Sequence, residues 1–213
     1  MTLKTRIPAA APQLYPQLNS LRLFLLFLLP IVALVQSCSG SPSSTANSTE
    51  SKRASSGKIS AVTLTSRAFQ PNMDIPSDYT CDGADQSPDL EWAGLPTGTK
   101  SVAVICEDPD APGGTFTHWV VFDIPASEAG LSKSSPKTAT MPNSARQGKN
   151  DFGAVGYGGP CPPRGSRHRY FFRIYALDTM LDHPSGSSRS EIESAIKSHA
   201  VGEGSLACSY SRH

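Results

Sequence analysis

Three runs of β-branched and aromatic residues leave this chain few folds to choose from. Residues 169–177 read Arg-Tyr-Phe-Phe-Arg-Ile-Tyr-Ala-Leu, a run dense in side chains that suit a pleated surface better than a helix. Residues 101–106 are apolar at alternate and intervening positions alike, the pattern of a strand covered on both faces. Residues 117–124 form the third run, closed by Pro125. Shorter strand candidates lie at 61–65, 90–92 and 206–210. One helix is expected late in the chain. Ser190 with Glu193 has the spacing of a capping box, and Ile192, Ala195, Ile196, His199 and Ala200 share one face at helical period. Seventeen glycines and eighteen prolines punctuate these runs. A β-sandwich with small helical additions is the architecture that satisfies this pattern.

The amino-terminal end obeys different rules. Residues 1–37 hold three bases (Lys4, Arg6 and Arg22) and no acid, and residues 23–35 are largely apolar. That apolar run is shorter than the roughly 20 residues a spanning helix requires, and it suits a secretory leader. Gln36-Ser37-Cys38 then resembles a bacterial lipoprotein box, in which the cysteine is lipidated and becomes the first residue after cleavage. The alternative is an ordinary cleaved secretory leader with an incidental cysteine. The stretch after Cys38 is serine-rich and lacks periodicity, as a tether should. The expected organisation is a leader at 1–37, an acylated Cys38 with a tether to residue 57, and one domain at 58–213. The expected location is the bacterial cell envelope, lipid-anchored, with a secreted or periplasmic protein as the alternative. Past the leader, 16 bases face 18 acids, so there is no basic excess for nucleic acid.

Several residues carry candidate chemistry. Asp108-Pro109-Asp110-Ala111-Pro112 follows the doubly covered strand, where it is either a local turn or the edge of a pocket. His118 sits in one strand candidate and His168 introduces another; either is as readily a core histidine as a ligand-binding one. Neither histidines nor cysteines show close metal-ligand spacing, so no metal or other cofactor is expected. No Gly-x-Ser-x-Gly elbow or phosphate loop is present, so no catalytic residue is assigned. A hydrolase using His118 and Asp108 as acid and base is the least favoured reading. Cys81, Cys106, Cys161 and Cys208 allow three disulfide connectivities. At most one bridge is expected, with Cys81 and Cys161, both in loop segments, the favoured pair. Cys106, inside an apolar strand, reads as a free thiol. The connection from Pro125 to Gly165 is long and aperiodic, which suggests functional loops.

Taken together, Asp108-Pro109-Asp110-Ala111-Pro112, His118-Trp119-Val120-Val121, Gly156-Tyr157-Gly158-Gly159-Pro160 and His168-Arg169-Tyr170 resemble the phosphatidylethanolamine-binding protein family. Cys81-Asp82-Gly83, the stretch from Ser87 to Trp92, Asn150-Asp151-Phe152-Gly153 and Pro160-Cys161-Pro162-Pro163 are similar to its bacterial Raf-kinase-inhibitor-like branch. The resemblance implies a β-sandwich of antiparallel sheets with a few peripheral helices. It also implies a small pocket for phosphate or a phospholipid headgroup. On this basis Asp108, His118, Gly159, Pro160, His168 and Tyr170 are the expected ligand-binding residues. The resulting expectation is a non-enzymatic, membrane-tethered binding protein for a small anionic or phosphorylated ligand. A module that inhibits a kinase or hydrolase through the pocket rim is the alternative. The gap between Asp110 and His118 is shorter than in animal members, and one histidine stands where they have two. Both differences bear on headgroup choice and on any kinase partner.

Overall fold

The computed structural model describes residues 59–213; the leader, Cys38 and the tether to residue 57 lie outside the described residues. Among the described residues, the chain forms two sheets. The larger runs β1 (Ser60–Ala61), β9 (Ala200–Ser211), β8 (Arg167–Leu177), β4 (Ser101–Asp108), β5 (Phe116–Pro125) and β7 (Arg146–Gln147). The smaller runs β2 (Thr63–Thr65), β3 (Leu90–Ala93) and β6 (Gly130–Leu131). All pairings are antiparallel except β1 with β9. The protein is mainly β, as the strand pattern implies, and no described helix is long and apolar enough to cross a membrane.

Strand β4 explains the layering. All eight of its residues are buried because it lies between β8 and β5 and is covered on both faces. Val102, Val104 and Cys106 point toward the small sheet, where they meet Leu64, Trp92, Trp119 and Phe172 in the main core. Ala103 and Ile105 point the other way, joining Val120, Phe122 and Leu177 under Ile192 and Ile196 of the helix α1 (Arg189–His199). A fully covered aromatic such as Phe172 contributes by area, and truncating one to alanine typically costs about 3–5 kcal/mol.

Tertiary packing revises several local expectations. Residues 61–65 are not one strand: Ser60–Ala61 pairs with β9, and Thr63–Thr65 crosses to the small sheet. Val62 makes that crossing, with its N–H donating to the Glu203 carbonyl at 2.8 Å. The helix starts earlier than expected. Its capping box is Ser188 with Glu191, not Ser190 with Glu193, because both pairs share the spacing and the earlier one frees Arg189 to reach Glu193 at 2.9 Å and Glu107 at 2.6 Å. The last strand begins at Ala200, well before Leu206, despite glycines at 202 and 204. Gly204 is needed there, since a Cβ on it would stand 1.9 Å from the Val62 carbonyl oxygen. The long connection after Pro125 contains two short strands, β6 and β7, which cap the edges of the two sheets.

Candidate functional site

Strands β5, β4, β8 and β9 are neighbours and alternate in direction. The start of β5, the end of β4, the start of β8 and the end of β9 therefore meet along one edge of the sheet. His118, Asp108, His168 and Arg212 come from those four ends and line a cavity of about 320 Å³. Its remaining walls are apolar, mainly Pro112, Phe116, Phe152, Pro162 and Pro163.

Each polar side chain reaches the cavity for a local reason. Asp108 alternates with Glu107, which faces the opposite side of the sheet and pairs with Arg189 of α1. Asp108 accordingly points to the main-core side. His118 should by simple alternation face away from its neighbour Trp119. A bulge prevents this: Cys106 pairs with Trp119, but Glu107 pairs with Thr117, so His118 is the extra residue on β5. Such a bulge re-aims a side chain, and here it places His118 against Tyr170 and Phe152, with ring centroids 5.2 and 5.4 Å away.

The hydrogen bonds decide the proton positions. Asp108 Oδ2 lies 2.8 Å from Nδ1 of His168, and its Oδ1 accepts the Asp110 backbone N–H at 2.8 Å. A carboxylate only accepts, so Nδ1 of His168 carries the proton. Nδ1 of His118 stands 2.7 Å from the Gly158 carbonyl oxygen and must likewise donate. Burial pushes the pKa of His118 below its ordinary value, with the Gly158 carbonyl and the Asp108 charge opposing that shift. Tyr170 is fully buried and its hydroxyl has no hydrogen-bond partner among the described residues. Burial, reinforced by the Asp108 charge, raises its pKa.

The second aspartate of the Asp108–Pro112 turn has a different task. Asp110 accepts from the backbone N–H and Nε of Arg169 at 2.9 Å and from Nη2 at 2.6 Å. That guanidinium lowers the Asp110 pKa to about 2. The pairing ties the turn after β4 to the start of β8 and so holds Asp108 beside His168.

On the far wall, Cys81 and Cys161 form a disulfide, while Cys106 and Cys208 are buried free thiols. Next to the bridge, Asp82 accepts from the Tyr210 hydroxyl and from Nε of Arg212, each at 2.9 Å. This orients the Arg212 guanidinium at the cavity wall. Gly159 and Pro160 are placed beside the cavity and not in its lining. The Gly159 N–H is spent on Asp85 Oδ1 at 2.6 Å, and the Pro160 carbonyl accepts the Cys81 N–H at 3.1 Å. Gly159 instead lines a second cavity of about 350 Å³, on the other side of Phe152. Tyr170 supports His118 from beneath and is likewise outside the lining. Among the described residues, no three His, Cys, Asp or Glu side chains cluster to hold a metal ion.

Sequence reasoning missed Arg212 and the role of Phe152. Arg212 falls beyond the last strand candidate and carries no local signal; only the strand order brings it to Asp108 and His168.

The comparisons with known proteins agree with this fold. The profile of the phosphatidylethanolamine-binding protein family matches residues 65–211. A UPF0098 protein of Methanothermobacter thermautotrophicus is 48% identical over 151 residues, covering 71% of this chain and 99% of that protein. One of Aquifex aeolicus is 48% identical over 149 residues, covering 69% of this chain and 86% of its own. The crystal structure of Escherichia coli YbcL, described as a new member of the mammalian family, matches with a TM-score of 0.68 at 34% identity. It covers 72% of this chain and 100% of the YbcL chain. A phosphatidylethanolamine-binding protein homologue of Chlamydia trachomatis matches with a TM-score of 0.66, also at 34% identity, covering 72% of this chain and 99% of that one. The chain described here belongs to the phosphatidylethanolamine-binding protein family.

Proposed function

We propose that this protein is a non-enzymatic binding protein whose cavity at the strand ends takes a small anion, either phosphate or a phosphorylated headgroup. We further propose that it works at the bacterial cell envelope, held there by lipid on Cys38. The observation that carries the reading is the convergence of His118, His168 and Arg212 around Asp108 in one cavity with apolar walls. Imidazoles and a guanidinium are the side chains that hold oxyanions, and apolar walls strengthen each contact by excluding water. Family membership supports a binding role. The cavity lining contains no serine or threonine, and its cysteine, Cys161, is occupied in the disulfide. Asp108 serves to orient His168. It also provides an acceptor for an ammonium group such as that of ethanolamine.

The test is titration calorimetry of the purified protein with inorganic phosphate and with phosphoethanolamine, repeated on His118→Ala and Asp108→Ala. Binding to the parent protein that weakens about tenfold or more in His118→Ala, the loss expected for one buried hydrogen bond, supports the reading. Equal and negligible heats for all three proteins overturn it.

A further inference from the structure

One covalent link stands where the two cavities meet. Cys161 lines both and Cys81 lines the second, so the Cys81–Cys161 bridge belongs, with Phe152, to the wall they share. Cys81 is exposed and Cys161 half-buried, which leaves the bridge open to a reagent from solvent. The two free thiols are the opposite case. Cys106 and Cys208 are buried, and burial pushes the Cys106 thiol up and the Cys208 thiol up to about 12. Thiol–disulfide chemistry needs access and a thiolate, so among the described residues the bridge is the reactive sulfur centre.

The chain on the Cys161 side has little else to hold it. Residues 160–164 read Pro-Cys-Pro-Pro-Arg, and three of these five have no N–H to donate. Among the described residues, the Cys161 and Arg164 N–H groups have no hydrogen-bond partner. The nearest bonded donors are Gly159, held by Asp85, and Gly165, held by the Arg212 carbonyl at 2.7 Å. Gly165 has φ +80°, and among the described residues nothing lies within 4 Å of where its Cβ would stand, so it is an unobstructed pivot. Between these ends the strap is fastened by the bridge and, beside it, by the Cys81 N–H donating to the Pro160 carbonyl at 3.1 Å. Its Pro163 carbonyl bonds within the local turn, to the Ser166 N–H, and Arg164 reaches the His213 carbonyl at the exposed end. This strap supplies Cys161, Pro162 and Pro163 to the first cavity's wall.

We infer that the Cys81–Cys161 bridge is a dithiol–disulfide exchange site, and that its reduction by a protein dithiol of the Cys-x-x-Cys class releases the 160–164 strap from the wall the cavities share. The inference does not depend on what either cavity binds. A thiolate of the dithiol attacks Sγ of Cys81, the more exposed sulfur, and forms a mixed disulfide. The Cys81–Cys161 bond breaks, and Cys161 leaves as a thiolate that takes a proton. The second thiol of the dithiol then gives up its proton, attacks the mixed disulfide and releases Cys81, which is protonated in turn. Two electrons and two protons pass to the bridge, and the dithiol ends as its own disulfide. One solvent-accessible hydrogen bond, from Cys81 to Pro160, then remains beside the broken link, too weak to keep the strap closed.

The test applies thioredoxin, with its reductase and NADPH, to the oxidised protein under native conditions. Alkylation with peptide mass mapping reads the four cysteines, and hydrogen exchange reads the backbone. The proposal expects Cys81 and Cys161 to be labelled while Cys106 and Cys208, which report on global opening, stay unlabelled. The Cys81, Gly159 and Gly165 amides, the donors at the strap's ends, should exchange about tenfold or more faster once reduced, the effect of a lost tie comparable to one hydrogen bond. The β4 and β8 amides should quicken by a smaller factor and remain the slowest in the chain. The double variant Cys81→Ser with Cys161→Ser should show the fast strap without reductant and ignore thioredoxin; if it does not fold, the reduced parent protein supplies the same reading. Equal acceleration of the strap ends and of β4 and β8, with Cys106 and Cys208 labelled alongside, overturns the proposal, because the bridge then serves only the global fold. So does a bridge that thioredoxin cannot reduce before the protein unfolds, or strap ends whose exchange is unchanged on reduction.

Discussion

Nδ1 of His168 and Oδ2 of Asp108 stand 2.8 Å apart, with both side chains more than nine-tenths shielded from solvent. Asp108 ends one central strand and His168 begins its neighbour, so the pair closes the sheet edge at which the cavity opens. Because Asp108 also accepts the Asp110 N–H, its removal strands a buried donor on His168 and a part-buried one on Asp110 at once.

Asp108→Ala should therefore destabilise the protein by about 2–4 kcal/mol, since each orphaned buried donor costs about 1–3 kcal/mol. Urea denaturation followed by tryptophan fluorescence measures this. A loss under about 0.5 kcal/mol would mean that the pair contributes nothing to the folded state.

The Cys81–Cys161 bridge closes a loop of 80 residues. Loop-closure entropy gives such a bridge about 2–4 kcal/mol of stability. The double variant Cys81→Ser with Cys161→Ser should melt well below the parent protein. Reduction of the parent should reproduce that shift. Mass mapping under non-reducing conditions that finds both cysteines alkylated would contradict the bridge.

Acid should loosen the turn after β4. The Asp110 carboxyl is depressed from 3.8 to about 2 by Arg169. A group whose folded pKa is lowered stabilises the fold above its unfolded value and loses that contribution as pH falls through the folded one. The Asp110 contribution is complete above about pH 4 and disappears toward pH 2. Melting curves recorded from pH 5 to pH 2 should fall less steeply for Asp110→Asn than for the parent. Parallel curves would show that the Arg169 pairing carries no weight.

Cys38 carries the proposed membrane attachment. Cys38→Ala should move the protein from the membrane fraction to the soluble envelope fraction. Unchanged fractionation would remove the lipid anchor from the proposed function and leave the cavity unaffected.

Much of the fold was legible because strand signals are local. The runs at 101–106, 117–124 and 169–177 became β4, β5 and β8, since alternation and β-branched content report burial within a few residues. Boundaries were less legible where two solutions satisfy one rule. Ser188 with Glu191 and Ser190 with Glu193 have the same spacing, and packing of Ile192 and Ile196 against β4 and β5 selected the first. The glycines at 202 and 204 hid the start of β9, because their weak strand propensity is overridden by a full ladder with β8.

Read alone, the sequence determined that this is a β-rich protein, which segments become its central strands, and which cysteines belong to loops and which to the core. These follow from period, propensity and local polarity, all of which act over a few residues. Only the tertiary structure decided what the cavity contains. It needed the bulge that turns His118 inward, the strand order that sets Arg212 beside His168, and the neighbours that take up the Gly159 N–H and hold Tyr170 beneath the site. Those outcomes depend on register and on which ends of distant strands meet. Such relations are set by the sum of packing over the whole sheet, and no single stretch of chain records them.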